Sequence, residues 1–437
     1  MRSFTCSASL TCAAIFFVAF PISSKSMTSV VATKSATAMR GSRGTLRIGR
    51  ESGPVLVQSN NTDNTNQTSR PWTQLATLSA SDGSWLSSVA VSGNTVVAAS
   101  SSGIHVFEKP TSGWTDMTET AVLSASDGSV LGSVAIDGNT VVAGGFDEVC
   151  VFLKPARGWT NMMETAVLTD GIVSYQPDEF GSSVAIGDNG GTIAVGAPEA
   201  LDSLQGAVYV FVKPKKGWKT TSSFNAALTE SDLDICDELG GAVAINGNTI
   251  IGAAWNWPDV ESIGAVFVFV EPEGGWADMT QTARLTSSDV YPDIEFGGSI
   301  AMSGNTIAAG CLYYDEILGG GAYVFVKPEG GWVDATETAH LTDTQPGDGL
   351  GHAVSIGVNT VVVAAPAGTS GGAEYIYNEP PGGWESTSKY STNLPFSVAE
   401  TADPQFFGLA IGGSIVASVC MQEGQGDVCL FGQSASK

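Results

Sequence analysis

The stretch Phe180–Phe211, FGSSVAIGDNGGTIAVGAPEALDSLQGAVYVF, holds two apolar runs joined by a tight Gly/Asn turn, an irregular acidic loop and a third apolar run. The same arrangement recurs with edits along most of the 437-residue chain. A chain written by repetition is not divided by length into ordinary domains. It builds one array of a single supersecondary unit, and that array must be closed or capped. Gly-Trp pairs mark the units at Gly113-Trp114, Gly158-Trp159, Gly217-Trp218, Gly275-Trp276, Gly331-Trp332 and Gly383-Trp384. Their spacing of 45 to 59 residues is that of propeller blades rather than helical solenoids.

Each unit contains four strand-like runs, which in the third are Ser182–Ile186, Thr192–Gly196, Ala207–Val212 and Trp218–Leu228. Val, Ile, Ala, Tyr and Phe fill the first three runs, Gly, Asn and Pro punctuate them, and no window shows a 3.6-residue apolar period. First strands recur seven times, at Val89, Val134, Val184, Val243, Ile300, Val354 and Leu409. The seventh unit ends near Phe431, after its third strand. An orphan fourth strand stands at the other end, Pro71–Leu78, whose Pro71-Trp72 is set against Gly113-Trp114. The pattern predicts an all-β, seven-bladed β-propeller over residues 72–434. Its blades are four-stranded and antiparallel, and the N-terminal strand completes the last one, so that no sheet is left free to unzip. One Trp per blade reads as a packing element on the outer blade surface.

The segments ahead of the repeats differ in kind. Residues 1–26 read as a signal peptide, with Arg2 as a small basic region, the apolar run Thr11–Ile22, and small residues after it. Residues 27–71 are first basic, then Ser/Thr/Asn-rich. They fit a propeptide ending at Arg47-Ile48-Gly49-Arg50, a transit-like segment or a plain linker. Asn60 and Asn66 head N-x-T sequons, where a secreted chain would be glycosylated. No later run is long and apolar enough to predict a membrane span. A secreted or cell-surface product is expected. The formal charge is −25, and residues 1–50 hold seven Lys/Arg with no Asp/Glu, leaving 12 basic against 44 acidic residues beyond them. Nucleic acid is an unsuitable partner for such a surface.

Phe180-Gly181 before a first strand, Gly196-Ala197-Pro198 after a second, and Gly206-Ala207-Val208-Tyr209-Val210-Phe211 resemble the FG-GAP repeat of integrin α-subunit propellers. The likeness is closest to bacterial and algal variants. It covers Trp72–Phe431, and it implies a seven-bladed extracellular propeller used for adhesion or for binding carbohydrate or protein. Integrin-type repeats often carry a calcium loop between strands one and two. Here that connection is reduced to pairs such as Gly93-Asn94 and Gly304-Asn305, and Asp188-Asn189-Gly190-Gly191 offers one carboxylate. Such turns cannot supply the six to eight oxygens of a calcium site. No metal site and no cofactor are carried over, although the acidic loops leave room for weak extracellular calcium.

No catalytic residue is assigned. His105 falls in a third-strand packing column with Cys150, Tyr209, Phe267, Tyr323, Tyr375 and Cys429; His340 ends a fourth strand; His352 replaces Ser182 on the innermost strand, near the central channel, where it could meet a ligand. No Ser-His-Asp or Cys-His arrangement can be assembled from the sequence. Cys420 and Cys429 flank Glu423-Gly424-Gln425-Gly426, and a hairpin centred between Gly424 and Gln425 would place them opposite for a disulfide.

Repeats dictate what is common, and function is carried by what differs. The loops from strand two to three and from strand four to the next strand one share a face. In units three to five they lengthen and become acidic and aromatic. The candidate ligand-binding residues are Asp202; Trp255, Trp257, Asp259 and Glu261; Tyr291 and Asp293; and Tyr313, Tyr314, Asp315 and Glu316. Tyr175, Asp178, Glu179, Glu199, Asp237 and Glu238 border them. Aromatic rings suit sugar faces or partner anchors, and carboxylates suit cations or a basic partner. The expected protein is a monomeric, non-enzymatic binder of a glycan or an extracellular protein. A carbohydrate-active lyase or hydrolase and a structural matrix component are its rivals.

Overall fold

The computed structural model describes residues 71–433 apart from 173–177, 202–203, 232–236, 256–262, 290–295, 312–319, 343–348, 367–371, 396–407 and 423–424. The segments read as a signal peptide and leader, and both sequons, Asn60 and Asn66, lie outside the described residues. Seven antiparallel sheets follow one another, and each is a blade whose first strand is innermost. In blade 3 the strands are Ser183–Gly187, Thr192–Ala197, Ala207–Val212 and Ala226–Thr229, paired in sequence order. The middle two are buried along nearly their whole length, which is why they read as continuous apolar runs. Among the described residues no helix is long and apolar enough to cross a membrane.

The ring closes through the N-terminal strand. Trp72–Ser79 is the fourth strand of blade 7, outside Leu409–Gly412, Ile415–Gln422 and Gln425–Gln433. Trp72 faces Gln433 and Leu78 faces Val428, with a bulge at Leu75. Alternate side chains of the third strand face opposite neighbours: Val428 and Leu430 pack towards blade 1, while Cys429 and Phe431 pack with blade 6.

Two details differ from the sequence reading. The Gly-Trp segment does not open strand four. Its Trp is buried, 4% to 9% exposed in all six units. The two residues that follow lead outward to the preceding blade. There Met117, Met162 and Met279 pair in parallel with Leu78, Leu123 and Leu228, Ala335 pairs with Leu285, and Thr221 and Thr387 bridge Leu168 and Leu341. A side chain two residues past the Trp seals the contact. Asp278 Oδ1, for example, accepts the Ala227 N–H at 2.9 Å, and Asp116, Asn161, Thr220, Asp334 and Ser386 do the same elsewhere. Each addition covers the exposed edge of a fourth strand, so several sheets count five strands rather than four. Trp72, by contrast, aligns with Met117 and not with Trp114, because Ala76–Leu78 occupy the positions of Ala121–Leu123.

The Cys420–Cys429 pair is bonded, with Cα atoms 5.8 Å apart. Its register is not the one expected. Gln422 faces Gln425, so Cys420 lies opposite Asp427 and Cys429 opposite Ser418. The bond runs diagonally across the hairpin, within reach of neighbouring positions on one sheet face.

Candidate functional site on the loop face

Strand directions assign the connections to two faces of the disc. One face carries the turns between strands one and two and the links between strands three and four. The other, the loop face, carries the connections between strands two and three and those between blades. Every interblade connection contains Asp or Glu, and no connection on the loop face contains Lys or Arg. The cations of blades 1–3 lie on the opposite face, at Lys109, Lys154, Arg157, Lys213, Lys215, Lys216 and Lys219.

The loop face is built around a repeated plug. Phe180, Leu239, Phe296 and Leu350 are fully buried between blades. The glycine after each turns the chain back in a left-handed conformation, as at Gly240 (φ +105°). A methyl group at Gly240 would meet the Ala207 carbonyl at 2.5 Å, and one at Gly196 would run into the Gly240 carbonyl. The Phe-Gly of one unit therefore touches the Gly-Ala-Pro of the previous one, and the motif is a joint between blades.

Around these joints the backbone is strained. Asp147, Glu179, Leu201, Leu204 and Glu238, none of them Gly or Asn, hold positive φ between 56° and 70°. All five belong to loop-face connections of blades 2–4. The Glu199 N–H donates to the Asp178 carbonyl at 3.2 Å, and the Leu239 N–H donates to Gln205 at 3.0 Å. The blade 3 loop is thus tied to both interblade connections that flank it. Burial pushes the Glu179 carboxyl above its usual range, followed by the charges of Glu199, Glu238 and Asp147; burial and then Glu238 raise Glu199. Burial and a hydrogen bond with Asp178 lift Asp170 to about 7. Carboxyls in this state gain from any cation brought to the face.

Trp255 joins this group. Its Nε1–H donates to Glu238 Oε2 at 2.5 Å. Its indole lies over Gly241, where an added Cβ would stand 3.1 Å from the ring. Trp255, with Asp178, Glu179, Glu199, Asp237 and Glu238 on its border, forms the described part of the sector expected from sequence. Asp202, Trp257, Asp259, Glu261, Tyr291, Asp293, Tyr313, Tyr314, Asp315 and Glu316 lie outside the described residues. Among the described residues no group of three or more His, Cys, Asp or Glu is arranged to hold a metal ion.

The histidines occupy the columns assigned to them. Burial pushes His352 down to about 4, leaving a neutral imidazole near the inner strand of blade 6. His340 stacks on Tyr323 with centroids 4.3 Å apart, and Tyr323 donates its O–H to Asp289 at 2.8 Å. His105 is fully buried, and its surroundings were not legible in the sequence. Its Nε2 lies 2.9 Å from Ser100 Oγ and 3.1 Å from Ser102 Oγ, while Nδ1 lies 3.6 Å from a Glu119 oxygen. Glu119 reaches this histidine from the segment after Gly113-Trp114, so only knowledge of that segment's path could have joined them.

The FG-GAP repeat family model matches residues 174–211 and 279–325, which span the joints entering blades 3 and 5. The chain carries FG-GAP repeats within a seven-bladed β-propeller. The matched glycines of blade 3, Gly181 and Gly196, are among those whose Cβ would collide with the backbone of an adjoining blade. The FG-GAP signature thus follows from the packing of its joints. No curated protein matches the sequence.

Proposed function

We propose that this FG-GAP propeller is a secreted or cell-surface, non-enzymatic binding module that engages a glycan or an extracellular protein through its loop face. The observation that carries this reading is the sector of Trp255, Glu238, Glu199 and Glu179. There an aromatic ring, several carboxyls and left-handed backbone are concentrated on one set of tied loops. Such strain accumulates where a binding geometry is held in advance. Binding on a glycan array and to extracellular proteins, with and without EDTA, tests it. Trp255→Ala should weaken binding by at least tenfold, as expected for loss of an aromatic anchor worth about 1.4–2 kcal/mol. Undiminished binding by Trp255→Ala would move the site elsewhere.

A hydrolytic reading has one arrangement in its favour, the Ser102–His105–Glu119 string, which has the order of nucleophile, base and orienting carboxylate. Covalent labelling of Ser102 by a fluorophosphonate, lost in His105→Gln, would establish it. An unlabelled Ser102 leaves the string as a network of hydroxyls around a core histidine.

A further inference from the structure

The first three blades carry a second feature of the loop face. Val130, Phe146, Ile172 and Leu201 are exposed on successive loop-face connections, Phe146 at 61% and Ile172 at 52%. Single exposed apolar residues are ordinary, but four on consecutive loops of one face form a patch. The loops also touch: Gly145, beside Phe146, lies against Val130 and Leu131, and the turn at Gly181 lies against Gly145 and Glu148. Among these side chains stand Asp127, Asp147, Glu148 and Asp178. Burial raises the Asp147 carboxyl first and the Asp178 charge adds to it. Burial likewise raises Glu148, with Asp127 and Glu164 adding to it against an opposing hydrogen bond from Ser129. No Lys or Arg in these connections offsets them.

A partner for this surface must bring positive charge and apolar side chains together. A neutral glycan leaves the carboxylates uncompensated, and an acidic polysaccharide is repelled. We propose that the loop face of blades 1–3 docks a cationic amphipathic polypeptide segment, with Phe146 as the apolar anchor. This rests on the binding reading above and specifies its ligand. Lysine ammonium or arginine guanidinium groups would meet the acids of the interblade loops, and the apolar side chains would cover Val130, Phe146 and Ile172.

The test uses the full chain and a fluorescent amphipathic peptide of alternating lysine and leucine pairs, with poly-L-lysine as the charge-only probe and the glycan array in parallel. The peptide should bind more tightly than poly-L-lysine and weaken at least tenfold between low and physiological salt. Phe146→Ser should weaken it by about tenfold, near the lower range for loss of a buried anchor. Val358→Ser, which alters the most exposed apolar side chain of the opposite face (86%), should leave it unchanged. Equal binding of both polycations with no effect of Phe146→Ser would overturn the inference, as would equal losses from the two variants. If the peptide fails to bind while a glycan binds and is lost on Trp255→Ala, this inference falls and the binding reading stands.

Discussion

The two faces of the disc solve the same problem, reversing the chain between strands, in opposite ways. On the turn face the reversals between strands one and two are two-residue hairpins built on Gly or Asn in six blades, and the four residues Asp188–Gly191 in blade 3. A Cβ added at Gly93, Gly138, Gly247, Gly304 or Gly413 would meet nothing within 4 Å. These glycines are needed for φ alone. On the loop face, Gly240 and Gly351 need positive φ and also empty space, because an adjoining backbone lies where a side chain would be. The loop face is therefore the mechanically coupled one. Its joints tie blade to blade, its acids are crowded and partly buried, and glutamate and leucine accept left-handed backbone there, where among the described residues the turn face confines it to Gly, Asn and Asp188. Binding sites are drawn from surfaces of that kind.

The comparison can be broken by substituting glycines on the two faces. Gly240→Val should cost about 4 kcal/mol or more, or abolish folding, because strain and a backbone collision add together. Thermal unfolding or soluble yield reads this, and a variant as stable as the native chain would remove the joint as the reason for the Phe-Gly motif.

The next effect concerns charge. Glu374 lies on the third strand of blade 6, fully buried near Ser418 of blade 7, and burial raises its carboxyl to about 7 against partial relief from Ser418. The folded protein thus holds the proton more tightly than the unfolded chain, whose value is near 4.5. Stability from this group is complete below about pH 4.5 and is lost as pH rises through about 7, a difference of roughly 3 kcal/mol. Glu374→Gln should flatten that decline, with its largest gain at pH 8 and little change at pH 4.5, measured by urea unfolding. Parallel pH profiles for the two proteins would contradict the assignment. Asp170, raised for the same reason at the joint entering blade 3, should add a decline of the same sign.

The smallest effect sharpens the contrast. Gly304→Ala has open space around it and only φ +57° against it. It should cost about 1–2 kcal/mol. A loss as large as that of Gly240→Val would erase the distinction between the faces.

Much of this architecture was legible because repetition exposes it. The seven first strands, the orphan strand at Trp72–Leu78 and the third-strand column containing His105 follow from alignment of the units, and each pairs as aligned. What escaped is interblade contact, which leaves no local period. The Gly-Trp segments read as the beginnings of fourth strands, since nothing in one unit says that Asp278 will cap Ala227 of another. The alignment of Trp72 with Trp114 failed for the same reason. The hairpin at Cys420 and Cys429 was centred one residue late because Glu423-Gly424 and Gly424-Gln425 are equally good turn centres by composition. Within the site, the acidic and aromatic character of the loops was visible, and the strained backbone at Glu179 and Glu238 was not. Left-handed conformation at a glutamate is imposed by the plug beside it.

The most direct test of the account is hydrogen exchange by mass spectrometry on the full chain, alone and saturated with a ligand returned by the array or with the lysine–leucine peptide. Protection should appear in loop-face connections, within residues 145–148, 178–181, 198–206 or 237–241, while the hairpins at 92–95 and 303–306 exchange as before. Protection confined to those hairpins, or to the Lys-bearing links at 109–113 and 213–217, would place the ligand on the opposite face and contradict the account.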